Sequence, residues 1–288
     1  MNLWTVLAGE PALFVTLAGL LGLLAGSFLN VVAHRLPVML ERQWQREAQE
    51  ALGLPTVAHE RFDLCLPASH CPHCGHRLRA WENVPLLSYL ALRGRCSACK
   101  ASISPRYPLV ELGCAAFSVA VAWHSGPTLE LLFTLLLTWG LLALSLIDSE
   151  HQLLPDVLVL PLLWLGLVGN ALGLFVPLHD ALWGAIFGYL SLWLVYWLFK
   201  LVTGKEGLGY GDFKLLAMIG AWGGWQVLPL TLLLSSVLGA LIGLCLLRLR
   251  KASMGSAMPF GPYLAIAGWI AVLWGDEIYT SYMQLLGI

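Results

Sequence analysis

The chain has 288 residues, 58% of them hydrophobic and only 11% charged, with 13 tryptophans, a formal net charge of −1 and a mean hydropathy of +0.76. That composition excludes an ordinary soluble domain and fits a polytopic membrane protein. Near-neutral charge says little about partners beyond the surrounding lipid, and no nucleic-acid partner is expected.

In chain order, apolar runs long enough to cross a hydrocarbon core of roughly 30 Å fall at 11–33, 107–125, 128–147, 156–176, 180–202 and 228–248, with weaker runs at 212–225 and 259–275. The predicted fold class is an all-α membrane protein, a polytopic bundle of about eight transmembrane helices. The expected division is a first transmembrane helix over 1–34, a small zinc-binding cytoplasmic domain over 35–106, and a transmembrane core of about seven helices over 107–288. "GLLAG" at 22–26 has the small-residue spacing of close helix packing in lipid. Pro37 is expected to end the first helix, and 39–52 to form a separate amphipathic helix. Trp222 and Trp225 are expected in an aromatic belt. No internal repeat is evident.

The 16 basic residues support the span count, because Lys and Arg concentrate in cytoplasmic loops. Ten lie between Arg35 and Arg106, three are Lys200, Lys205 and Lys214, and three are Arg248, Arg250 and Lys251. With eight spans all fall on one side. The N-terminus is then periplasmic, and the first loop, the 203–211 loop and the 248–258 loop are cytoplasmic. No cleaved signal is expected, since the first positive charge, Arg35, follows the apolar run.

Cys71-Pro-His-Cys74 and Cys96-Ser-Ala-Cys99 form two C-x2-C pairs. Each pair can present two thiolates to one ion, and together they complete a tetrahedral sulfur site for zinc. Four filled positions leave no place for water, so the role expected is structural. His73 is an alternative ligand beside His70 and His76, while Cys114 and Cys245 read as apolar filler.

Four carboxylates need a reason in so apolar a chain. Glu111 is expected to pair with Arg106, and Asp156, after Pro155, to serve a helix N-terminus. Asp148, ending the run "LALSLID", and Asp212, behind Gly209-Tyr210-Gly211, fall on one side of the membrane at similar depth and can meet. Two carboxylates held together share a proton, so one can activate water while the other protonates the scissile group. The glycines leave room for an extended peptide. Such a pair could hydrolyse a peptide bond; the alternative is a carboxylate relay in an ion or proton transporter.

"GYGDFK" (209–214) with "IDSEHQLLPD" (147–156) resembles the GxGD class of intramembrane aspartic proteases. "GSFLNVVAHRLP" (26–37), the stretch from "CPHC" at 71 to Glu111, and "PFGPYLA" (259–265) are similar to the bacterial type IV prepilin leader peptidase/N-methyltransferase family. The resemblance implies that Asp148 and Asp212 are the catalytic pair and that Cys71, Cys74, Cys96 and Cys99 hold structural Zn2+. It implies prepilin and type II pseudopilin substrates, cleaved at the cytoplasmic face of the bacterial inner membrane. It also implies methylation of the new N-terminal residue with S-adenosylmethionine as donor. No cofactor-binding residues are assigned; a contribution is expected from Trp81, Glu82, Asn83 and the Gly94-Arg95-Cys96 turn.

Overall fold

The structure, a computed structural model, describes residues 9–55, 61–249 and 258–285. Most of the 248–258 loop expected on the cytoplasmic side, with Arg250 and Lys251, lies outside the described residues. Nine α-helices occur among them: α1 Pro11–Ala51, α2 Leu87–Ala91, α3 Arg106–Ser125, α4 Leu129–His151, α5 Asp156–Ala171, α6 Leu178–Thr203, α7 Tyr210–Gly223, α8 Val227–Arg248 and α9 Gly261–Leu285. Each of the eight apolar runs is helical. Among the described residues four helices, α1, α4, α6 and α8, are long and apolar enough to cross a membrane by length and composition alone. The chain is a multi-pass, all-α membrane protein. Two compact units divide it, Met1–Pro127 and Thr128–Ile288.

In the first unit α1 and α3 pack along glycines. A Cβ added at Gly22 would lie 2.7 Å from Ala115 Cα, and one at Gly26 would lie 2.7 Å from Glu111 Cα. This is the close approach expected of small residues in lipid, where van der Waals contact replaces the hydrophobic effect as the force between helices. One expectation fails here: Pro37 does not end the helix, which continues through it to Ala51 as one 41-residue rod. An interior proline removes one backbone hydrogen bond, but the sequence beyond it, "MLERQWQREAQEA", is rich in strong helix formers. Arg35, two residues before the proline, donates to the carbonyls of Asp63 at 2.9 Å and Pro67 at 2.6 Å.

In the second unit α7 is the central helix. It has only 14 residues, too short to span alone, yet 11 of them are buried, because α5, α6, α8 and α9 all pack on it. Protein rather than lipid surrounds it. Gly184 and Gly188 of α6 meet its backbone, the latter 2.6 Å from Leu216 O as measured from an added Cβ. Its C-terminal carbonyls are not left open: Asn170 of α5 donates to Ala221 O at 2.9 Å and Trp222 O at 3.1 Å. Trp222 corrects a second expectation. It is fully buried against Gly166 and Phe175, with its indole N–H on Leu162 O at 2.9 Å, and is no interfacial anchor; Trp225 is exposed.

Candidate active site and candidate metal centre

Asp148 lies in the last turn of α4, whose end is set by Gln152 in the left-handed region at φ 51°. Only 6% of it is exposed, and its Oδ2 accepts the Gly261 N–H at 3.0 Å. Gly261 opens α9, and there is no room for a side chain on it. A Cβ would sit 2.6 Å from Asp148 Oδ2 and 3.0 Å from Cγ.

Asp212 is the third residue of α7, 7% exposed, and accepts the Gly209 N–H at 3.3 Å. It therefore does partly cap its helix, while its remaining oxygen lone pairs are unused by that bond. Leu154 joins the two glycines. A Cβ at Gly211 would meet Leu154 Cβ at 2.8 Å, and one at Gly261 would meet Leu154 Cδ2 at 3.2 Å. Asp148, Gly261, Leu154, Gly211 and Asp212 thus form one run of contacts.

Asp156, in the first turn of α5 as expected, has a partner the sequence did not reveal. Both its oxygens accept from Lys214 Nζ, at 2.8 and 2.7 Å. As an exposed pair it is worth only about 0–1 kcal/mol, but it ties the segment after Asp148 to the helix of Asp212, two residues beyond that aspartate. Gly261 was legible only as part of "PFGPYLA"; no spacing in the chain links it to a residue 113 positions away.

In the first unit the thiols of Cys71, Cys74, Cys96 and Cys99 lie within 4.8 Å of one another, with Cys71 and Cys99 sulfurs 3.8 Å apart. Tetrahedral Zn–S bonds of about 2.3 Å put sulfurs about 3.8 Å apart, so the donor set fits zinc. His73 is exposed and outside the cluster.

The two knuckles are copies of one hairpin, a repeat not evident from residue identities. Cys71 N–H donates to His76 O and Gly75 N–H to Cys71 O, each at 2.9 Å; Cys96 N–H donates to Ala101 O at 2.8 Å and Lys100 N–H to Cys96 O at 3.1 Å. Leu78 N–H to Ser69 O and Ile103 N–H to Gly94 O close the two hairpins. Gly75 and Lys100, each following its second cysteine, have φ of 71° and 62°. Glycine takes that angle freely, lysine at a cost. The N–H groups of Cys99 and Ala98 lower the Cys96 thiol to about 6. Cys74 accepts from His76 N–H, which favours thiolate, but desolvation and the other three sulfurs outweigh this and push it up to about 11. Four crowded thiols cannot all ionise without a cation among them.

Glu82 clips the knuckles together. Its side chain is 2% exposed, accepts Arg79 N–H at 2.7 Å, and lies 3.3 Å from His76 Nε2. Ser97, the Arg79 N–H and His76 hold its carboxyl down at about 2. His76 in turn is 3.3 Å from Ser97 Oγ on the second knuckle. Trp81 and Asn83 flank Glu82 and are exposed. Among the described residues there is no strand-to-helix glycine cradle for a nucleotide-like donor, only two isolated bridges, so no S-adenosylmethionine contacts are assigned.

Glu111 is also placed differently from expectation. It is buried in α3, and its Oε2 accepts the Leu86 N–H at 2.7 Å, a partner other than the expected Arg106. Asn30 beside it donates to Gly26 O and Tyr107 O.

Comparison with known proteins places both units. Residues 20–125 match the model described as the bacterial peptidase A24 N-terminal domain, and residues 135–244 match that of the type IV leader peptidase family. A Pseudomonas putida protein named prepilin leader peptidase/N-methyltransferase is 76% identical over 287 residues, covering 100% of each chain. The chain belongs to the type IV leader peptidase family. Two further family members carry the same name. That of Stutzerimonas stutzeri is 68% identical over 96% of each chain, and that of Pseudomonas aeruginosa is 66% identical over 100% of this chain and 99% of its own. No solved structure gives a significant match. The cysteine cluster falls within the N-terminal match, and Asp148 and Asp212 within the peptidase match.

Proposed function

We propose that this chain is a membrane-embedded aspartic peptidase that removes the leader peptide of type IV prepilins and type II pseudopilins, with Asp148 and Asp212 as its catalytic pair. The observation that carries the assignment is the run of contacts Asp148–Gly261–Leu154–Gly211–Asp212, which holds two buried carboxylates together within a match to the leader peptidase family. Asp156, by contrast, is engaged by Lys214.

In the reaction one carboxylate is ionised and the other protonated. The ionised one takes a proton from water as the water oxygen bonds to the scissile carbonyl carbon. The protonated one gives its proton to the carbonyl oxygen, forming a neutral tetrahedral diol. Collapse breaks the C–N bond, with one proton going to the leaving nitrogen and the other returning to the carboxylate pair. Gly261 N–H would orient Asp148 and Gly209 N–H Asp212, while Gly209, whose missing side chain leaves open space, would admit extended backbone. Both carboxylates lie near the ends of their helices, in the last turn of α4 and the first of α7, where a chain entering from the aqueous side can reach them. That position favours a peptidase over an ion relay across the membrane.

The same reading places the protein in the bacterial inner membrane with a periplasmic N-terminus and the zinc loop and aspartates toward the cytoplasm, from the distribution of its basic residues. Zn2+, held by Cys71, Cys74, Cys96 and Cys99, would fix the fold of a loop too small for a core of its own. N-methylation of the new N-terminus with S-adenosylmethionine follows from the names of the relatives. The deciding experiment is incubation of the purified protein with a prepilin and methyl-labelled S-adenosylmethionine, reading cleavage by mobility and methylation by label. Normal processing by both Asp148→Asn and Asp212→Asn would refute the pair.

A further inference from the structure

We infer that α2 and the turn preceding it are an interfacial membrane element: Leu87 and Leu90, with Trp81 and Val84, insert into the bilayer edge rather than facing water. The reading stands independently of the peptidase assignment.

Depth is the first argument. The apolar run of α1 ends at Ala33, and Gly26 lies seven residues before it, about 10 Å deeper at 1.5 Å per residue. Gly26 packs directly on Glu111 Cα, and Glu111 Oε2 accepts the Leu86 N–H at 2.7 Å. A glutamate side chain spans only part of that depth. Leu86 is therefore held at or inside the boundary of the apolar zone, the depth at which interfacial helices lie.

Satisfaction of the backbone is the second. Leu86 has φ 59° and ψ −49°, and Leu87 N–H bonds back to Pro85 O at 2.5 Å, a tight γ-turn of the strained hand. The turn sends the chain down and back while aiming the Leu86 N–H at a carboxylate. Lipid offers no hydrogen bonds, so irregular backbone at this depth needs protein partners; Glu111 is that partner, and Asn30 nearby bonds Gly26 O and Tyr107 O.

Chemistry of the exposed face is the third. Leu87 and Leu90 are 65% and 61% exposed, one helical turn apart, and Trp81 and Val84 are exposed as well. In water this would be an unexplained apolar patch beside a zinc site. Arg77 and Arg79 before it and Arg93 and Arg95 after it are exposed, as suits an element whose margins meet lipid phosphates.

The test uses the unmodified full-length protein in nanodiscs of phosphatidylethanolamine and phosphatidylglycerol containing a phospholipid with a diazirine in its acyl chain. After irradiation, trypsin releases residues 80–93 as one peptide and 96–100, from the second knuckle, as another. The expected result is acyl-chain adducts on 80–93, centred on 84–90, comparable to those on peptides of α1, and none on 96–100. Leu87→Gln/Leu90→Gln, with its zinc content checked against the parent, should lose most of the label. Absence of adducts on 80–93 while α1 is labelled overturns the inference. So does equal labelling of 96–100, or protection of 80–93 by residues of Thr128–Ile288 seen as protein–protein cross-links.

Discussion

Replacing Gly261 with alanine probes the proposed active site with a single methyl group. The added Cβ would sit 2.6 Å from Asp148 Oδ2, whereas ordinary contact begins at 3.4 Å, so the carboxylate must retreat by about 0.8 Å. The movement lengthens the 3.0 Å bond from Gly261 N–H that orients it. Displacement of a reacting group by about 1 Å costs on the order of 10²-fold, or about 2.7 kcal/mol on the barrier. The backbone is not the obstacle, because Gly261 does not have a left-handed φ; the new methyl meets only side-chain atoms, those of Asp148 and Leu154 Cδ2 at 3.2 Å, so the strain falls on the carboxylate and a leucine tip rather than on packed backbone. The assay is kcat and KM for cleavage of a prepilin, with methylation of an already cleaved pilin by the same preparation as the control for integrity. The expected outcome is kcat lowered roughly 10²-fold, with KM and methylation near the parent values. Cleavage at the parent rate by a folded Gly261→Ala variant would refute the view that this backbone N–H positions Asp148.

Asp148→Asn and Asp212→Asn should each abolish cleavage without altering zinc content, measured by peptide processing and metal analysis. Cys71→Ser should release zinc and raise hydrogen exchange across the knuckles; unchanged metal content would rule out the four-sulfur site. Lys214→Met should lower the cleavage kcat several-fold with melting shifted by no more than the loss of an exposed pair, about 1 kcal/mol, and the double variant Asp156→Lys/Lys214→Asp should recover part of the loss. Glu82→Gln has a pH signature. Because the folded carboxyl is held at about 2 against an ordinary 4.5, its stabilisation is complete above 4.5 and is lost as pH falls toward 2. The knuckle amides of Glu82→Gln should therefore exchange faster than the parent's at neutral pH, with the gap closing in acid; a gap that widens in acid would contradict the assignment.

Much of this molecule was legible from residue order alone. Eight helical runs and the paired C-x2-C spacing follow from hydropathy and cysteine spacing, both local properties of the chain. Tertiary structure decided the rest, because it depends on which surfaces meet. Pro37 is carried inside a helix whose continuation is rich in helix formers, and Trp222 is buried because α7 is surrounded by protein. Glu111 answers to a backbone N–H 25 positions away instead of the nearby Arg106. Above all, no local pattern in the sequence brings Asp148 and Asp212 together. That takes two glycines, Gly211 and Gly261, whose missing side chains let Leu154 draw three helices into contact, and backbone proximity of that kind leaves no pattern in the one-dimensional chain.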